Sequence, residues 1–282
     1  MRQYSRIGSL RTVACAWGLL VVGLAAAATA AGVVSAAGVA DGLGAKVAPA
    51  VVMSLVVLPA LLWFVRPARR RLALVRPLQG VALGGAVTGA AAGASFGALA
   101  LAGHLQVDVV DGGQLALFLV GNLVVAAALE ALPEELTLRG AVYGELATRT
   151  RAALAGVVTT VLFLAAPACG ISLAALAGGV VGLDLGRPGL APEGQDPVAY
   201  LVLLACFGTM LVSARAATGS VWTCVAAHLV FLTVNRALVS SGSWQTGLQV
   251  DAAAGHELLV LVYLGLATLG FAWIGRRRAG RA

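Results

Sequence analysis

Apolar residues run in stretches long enough to cross a bilayer, and nothing else constrains this chain so strongly. A helix needs about 20 mostly apolar residues to span a hydrocarbon core about 30 Å thick. Eight such runs occur, over about 12–35, 47–65, 81–102, 114–132, 152–168, 198–214, 220–238 and 258–274. A further apolar piece, 171–183, is too short to span easily and either extends the fifth run or lies re-entrant. Lipid offers the backbone no hydrogen bonds, so only helices and closed barrels cross it. Runs this long and continuous predict an all-α polytopic membrane bundle of about eight transmembrane helices. With 60% hydrophobic and only 11% charged residues among 282, the composition excludes a soluble domain.

The net charge of +7 could suggest a nucleic-acid surface, but the arginines sit in short loops between the apolar runs. They read as topology determinants, and no nucleic-acid partner is expected. With the N-terminus in the cytoplasm, only Lys46, Arg187 and Arg236 fall outside. The other sixteen of the 19 basic residues fall inside, in the groups Arg2 to Arg11, Arg66 to Arg76, Arg139 to Arg151, Arg215 and Arg276 to Arg281. Both termini are therefore expected in the cytoplasm. Three arginines ahead of an apolar run also resemble a secretory signal peptide, but the length of that run and the spans behind it favour an uncleaved first helix. The Ala-, Gly-, Val- and Arg-rich composition suits a GC-rich bacterial genome, hence an inner (cell) membrane. Cys15, Cys169, Cys206 and Cys224 form no CxxC, so neither a disulfide framework nor a zinc site is indicated. Gly85, Gly89, Gly93 and Gly97 recur at every fourth position of the third run. Such a face lets helices approach closely, and it is expected to pack inside the bundle. A homodimer seam would use the same pattern.

The acids are placed unevenly. Asp41, Asp108, Asp111, Asp184, Glu193, Asp196, Asp251 and Glu257 fall in loops or at loop edges, whereas Glu130, Glu134, Glu135 and Glu145 share one helix-length segment. A charge near the bilayer centre costs about 2.5–3.5 kcal/mol on insertion scales, which makes it a functional candidate. At about 100° per residue, Glu130 and Glu134 share one face and Glu135 and Arg139 the next. Arg139 can thus pair with Glu135 at i,i+4 and leave Glu134 free. A plain juxtamembrane helix end explains Glu145 well and a Glu-Glu pair directly after Pro133 poorly. In the seventh run His228 lies about 13 Å from the Gly219 end, with Asn235 two turns further near the same face. A lone mid-span histidine is usually a packed residue. An asparagine on its own face and two glutamates on another span raise the functional reading. Cys224 and His228 could mimic a thiol and its base, but cysteine is common in apolar helices. His256-Glu257 lacks the second histidine of a zinc-protease helix.

Glu134-Glu135-Leu-Thr-Leu-Arg139-Gly140 resembles the E-E-x-x-x-R-G motif of the CAAX protease and bacteriocin-processing (CPBP, or Abi) intramembrane proteases. Phe207-Gly208 and Gly219-Ser220-Val-Trp222 followed by His228 look like that family's last block, in the right order, so the resemblance covers roughly 115–238. It implies a CAAX-protease-like core at 114–238, between N-terminal helices at 1–113 and a C-terminal helix with a basic tail at 239–282. It also implies a glutamate that activates water for attack on a peptide carbonyl, with His and Asn binding the oxyanion. Glu134, Glu135, Arg139 and His228 carry over. Two positions depart. Pro167 stands where Phe163-Leu-Ala-Ala-Pro167 should end in a histidine, and it should kink or end the fifth span. Leu232 occupies the H-x-x-x-N/D position, and Asn235 is the substitute, about 4.5 Å further along the axis. With one intramembrane histidine a metal site is short of ligands, and no metal or other cofactor is expected. Loss of one oxyanion donor costs about 2.7–4 kcal/mol in transition-state energy. The chain is therefore expected to be a weakened endopeptidase acting on a peptide or a membrane-associated protein tail, or a non-catalytic immunity or scaffold protein that keeps the cavity. A small proton-coupled transporter is a third reading, disfavoured because no internal repeat is visible. From the arginine bias, a reporter that works only in the cytoplasm should be active when fused behind the last residue. Activity of a reporter that works only outside the cell would overturn the eight-span count.

Overall fold

The computed structural model describes residues 2–39, 42–64, 71–240 and 244–280. Asp41, Arg66, Arg69, Arg70 and Arg281 lie outside them. Eight helices among the described residues are long and apolar enough to cross a membrane, and the chain is an integral membrane protein. They are α1 (Arg2–Ala36), α2 (Val47–Phe64), α3 (Pro77–Leu101), α4 (Gly112–Ala147), α5 (Ala152–Val181), α6 (Pro197–Thr218), α7 (Val221–Val239) and α8 (Leu259–Ala279).

The apolar runs become helices because each closes its own backbone hydrogen bonds, and short loops then set neighbours antiparallel. α4 and α6 begin at side-chain caps: the carboxylates of Asp111 and Asp196 accept from the N–H groups of Gln114 and Ala199. α1 packs between α2 and α5, α3 lies against α7 and α8, and α6 contacts α5, α7 and α8. Burial singles out α7. Of its span 61% is buried, against 28–33% for the others, so α7 is the central helix and its side chains meet protein on nearly every side. The expected all-α class stands. At one end of the bundle the loops after α3 and α7 add a two-stranded antiparallel ribbon, β1 (Leu105–Val109) with β2 (Leu248–Ala252), pairing Leu105 with Ala252 and Val109 with Leu248.

Two sequence expectations are corrected here. The fifth span does not stop near Pro167. One helix runs from Ala152 to Val181 and absorbs the short apolar piece from residue 171 onward, ending at Gly182 with a left-handed cap. Proline removes a single N–H, and neighbouring helices in a membrane bundle can make good the freed carbonyl. One turn earlier, the Trp17 indole of α1 already donates to the Leu162 carbonyl at 2.8 Å. The glycine ladder is the second correction. Gly85, Gly89, Gly93 and Gly97 do not pack inside the bundle, since a Cβ at any of them would meet nothing within 4 Å. The close approach of α3 to α7 is made instead on the Gly80–Gly84 side, where Thr88, Ala91, Ala92 and Ser95 are also buried. A Cβ on Gly84 would lie 2.3 Å from the Thr223 carbonyl oxygen.

Backbone cannot yield as a flexible side chain does, so Gly84→Ala should cost about 1–3 kcal/mol, the usual range for overpacking. Gly89→Ala should leave stability unchanged or raise it by up to about 1 kcal/mol through helix propensity. Paired thermal unfolding of the two variants in detergent checks the ordering.

Candidate active site

α4 is not a regular helix where it carries the acids. Ala127–Ala131 and Leu136–Val142 form π-helical turns on either side of Leu132–Glu135. Pro133 lacks an N–H, so the i,i+4 ladder is already broken at the Leu129 carbonyl, and wider i,i+5 turns accommodate the break. Such turns in membrane helices rotate the side chains that follow and are common at functional sites.

The rotation brings one carboxylate oxygen to the middle of a buried cluster. Oε1 of Glu135 accepts from Nη1 of Arg139 at 3.2 Å and lies 2.9 Å from Nδ1 of His228. Glu135 and Arg139 are fully buried and His228 is 2% exposed. The i,i+4 pairing of Glu135 with Arg139 is as the sequence spacing predicts. Beneath the guanidinium lies the Phe163 ring, 4.5 Å from centroid to Cζ. Its face is the nearest substitute for partners at Nε and Nη2, which have no hydrogen bond among the described residues. Phe207 meets His228 edge-on at 4.8 Å, stacks on Phe231 at 4.0 Å and touches Phe163 at 5.9 Å. Gly208 is what lets α6 come this close: a Cβ there would lie 3.0 Å from Phe163 and 3.6 Å from Arg139 Nη2.

Glu134 is half-buried and makes no hydrogen bond or ion pair among the described residues. Glu134, Glu135 and His228 each offer one ligand atom, all within 4.8 Å of one another. Three protein ligands is the number a catalytic zinc takes, and Glu135 Oε2 is buried with no partner, so the donor set fits a divalent cation. Asn235 is turned elsewhere. Its amide nitrogen donates to the Tyr263 hydroxyl of α8 at 3.2 Å. Pro167 sits half-buried in α5 and brings no polar side chain. Cys224 is buried and its thiol donates to the Leu211 carbonyl at 3.3 Å, which is the packing role.

Sequence reasoning missed two arginines. Arg236, assigned above to the outside, is 8% exposed and lies within the bundle. It pairs with Glu130 and donates to Asn122 Oδ1 at 2.8 Å, while Trp244 covers it at 4.2 Å. Asn122 in turn donates to the Thr233 hydroxyl at 3.0 Å. Arg236 falls inside the seventh apolar run, and Asn122 is the one asparagine of the fourth, which is the signal that could have found them. Arg215, read as a loop charge, is 9% exposed and donates from Nε to the Arg139 carbonyl at 3.0 Å. Glu145 closes the other end of α4 by pairing with Arg71 and Arg149.

The eight-span bundle thus gathers the two glutamates and the arginine of the E-E-x-x-x-R stretch with a mid-span histidine in one cluster. Residues 115–234 match the family model described as type II CAAX prenyl endopeptidase Rce1-like, a match consistent with a CPBP-type membrane protease. No curated protein and no solved structure matches it.

Removing one partner of a buried ion pair strands the other charge. Glu135→Gln should therefore destabilise the protein by about 3–5 kcal/mol, while Glu134→Gln, which breaks no pair, should cost under about 1 kcal/mol. Denaturation of the two variants side by side measures the difference.

Proposed function

We propose that the chain is an intramembrane endopeptidase in which Glu134 activates water, with residues 114–238 as the catalytic core between two flanking helical parts. The observation that carries the reading is the contrast between the two adjacent glutamates. Glu135 is held by Arg139 and His228, while Glu134 beside it is unpaired. A carboxylate without a cationic partner is the better proton acceptor, and its position next to an imidazole suits hydrolysis. Glu134 takes a proton from water as the water oxygen adds to the scissile carbonyl carbon. The oxyanion forms in a site walled by Phe163, Phe207 and Phe231, where a single donor counts for more than it would in water. Collapse of the tetrahedral species breaks the C–N bond, and the leaving amine takes the proton back from Glu134. His228 gives its Nδ1–H to Glu135, and its Nε2 donates to the oxyanion when the ring is the doubly protonated imidazolium. If a divalent cation is bound, Glu134, Glu135 and His228 would hold it and it would supply Lewis acidity to the water.

The substrate is a peptide or the tail of a membrane-associated protein, reached from the lipid bilayer. The membrane is the inner (cell) membrane, with both termini cytoplasmic. The motif order along α4 then sets Arg139 on the cytoplasmic side of Glu134. Pro167 offers no donor where the family has a histidine, and Asn235 is engaged by Tyr263, so the oxyanion is short of one partner. Cleavage is therefore slow, by about 2.7–4 kcal/mol relative to a site with the full donor set. A second reading, a non-catalytic scaffold that retains the cavity, follows if that shortfall is complete.

The test is single-turnover cleavage of a labelled membrane peptide by the purified protein in detergent, with and without a chelator. Pro167→His should raise the rate, and Glu134→Ala in that background should abolish it. Cleavage that survives Glu134→Ala would remove Glu134 from the mechanism. Loss with chelator and recovery with added zinc would assign the three donors to a metal.

A further inference from the structure

The second π turn of α4 leaves a backbone group in an unusual position. In a regular helix the Arg139 carbonyl would accept from the Tyr143 N–H, four residues on. Here that N–H is bonded to the carbonyls of Leu138 and Gly140, on either side of Arg139. A carbonyl without its helical donor, buried inside a membrane protein, requires another partner. Arg215 supplies it from α6 through Nε at 3.0 Å, across 76 residues of sequence, with its guanidinium 5.5 Å over the Tyr143 ring. The first π turn is treated the same way, because the Ser54 hydroxyl of α2 donates to the Ala128 carbonyl at 2.6 Å. Each widened turn thus has a carbonyl tied to a side chain from another helix.

We infer that Arg215 is a positioning residue for the reacting centre: by holding the Arg139 carbonyl it keeps α4 in its π-helical register, and so keeps Arg139 and His228 on the same oxygen of Glu135. The chain of contacts is short. Arg215 fixes the Arg139 backbone, the Arg139 side chain fixes Glu135, and Glu135 fixes the ring of His228. Return of this turn to α-helical register would give the Arg139 carbonyl back to Tyr143. It would also turn Arg139 relative to Glu135, since one residue fewer would separate successive rungs. A charge placed only to orient the protein in the membrane would sit in water, whereas Arg215 is buried and its hydrogen bond is to backbone. The inference rests on reading the Glu134–Glu135–His228 cluster as the reacting centre, but its test does not need cleavage.

The chain has three histidines, so His104→Gln with His256→Gln leaves His228 as the only one. Its ring-nitrogen resonances, recorded on isotope-labelled full-length protein at one pH, report the bond to Glu135 directly. Arg215→Met should move those resonances. Arg215→Lys, whose ammonium reaches the same carbonyl, should leave them close to the starting protein. Where cleavage is measurable, Arg215→Met should lower kcat about tenfold or more with KM little changed, and lysine should restore it. If Arg215→Met does not fold, Arg215→Gln takes its place. Resonances unmoved by Arg215→Met would overturn the inference, as would equal displacement in the lysine and methionine variants. Failure of the peptidase reading looks different: no cleavage by the unmodified protein or by Pro167→His, with the His228 resonances still following position 215.

Discussion

A single carboxylate oxygen, Oε1 of Glu135, organises the centre of this protein. An arginine and a histidine from two different helices converge on it in a place closed to water. Burying those groups separately would be prohibitive, and burying them together is tolerable only when geometry is good and lone pairs are satisfied. The requirement reaches outward. Arg139 needs a polarisable surface for its remaining N–H groups and lies over Phe163, and Phe163 and His228 both need Phe207 at its observed height. α4, α5, α6 and α7 are therefore held in register by one cluster of charges rather than by apolar contact alone. In a bilayer this matters more than in water, because lipid tails compete with apolar side chains on equal terms.

Close backbone approach makes the cluster possible. Gly208 admits α6 beside Arg139, Gly84 admits α3 beside α7, and Gly144 admits the chain at Arg71, whose carbonyl would lie 2.4 Å from a Cβ there. The glycines that matter are those facing another helix. Spacing along the chain does not distinguish them from Gly85, Gly89, Gly93 and Gly97, which form the more regular pattern and face away from the bundle.

Polar groups are distributed along α4 in three tiers: Glu130 with Arg236 and Asn122, then Glu135 with Arg139 and His228, then Glu145 with Arg71 and Arg149. In each tier an acid of α4 meets at least one arginine. Glu134 alone among the acids of this helix has no such partner among the described residues, and this asymmetry separates it from the acids that hold the helix in place. The π turns on either side of Leu132–Glu135 are what allow two adjacent glutamates to have such different surroundings.

The eight membrane spans were legible in the sequence because hydrophobic length maps directly onto bilayer thickness. The E-E-x-x-x-R-G stretch was equally legible, since i,i+4 spacing alone brings Glu135 to Arg139. Local rules extend no further than local partners. They could not say that α5 would continue through Pro167, because the cost of a lost helix bond depends on which neighbours stand beside it. Nor could they place Arg236 and Arg215 inside the bundle, because a charge at a helix end faces water or protein according to what packs there. The face of α3 that meets α7, the turn of Asn235 toward Tyr263 and the convergence of His228 on Glu135 were decided by the tertiary structure. Each depends on the rotation of one helix about its axis relative to another, and in a lipid-facing bundle that rotation is set by shape and buried polar pairs, which no periodicity along a single span encodes.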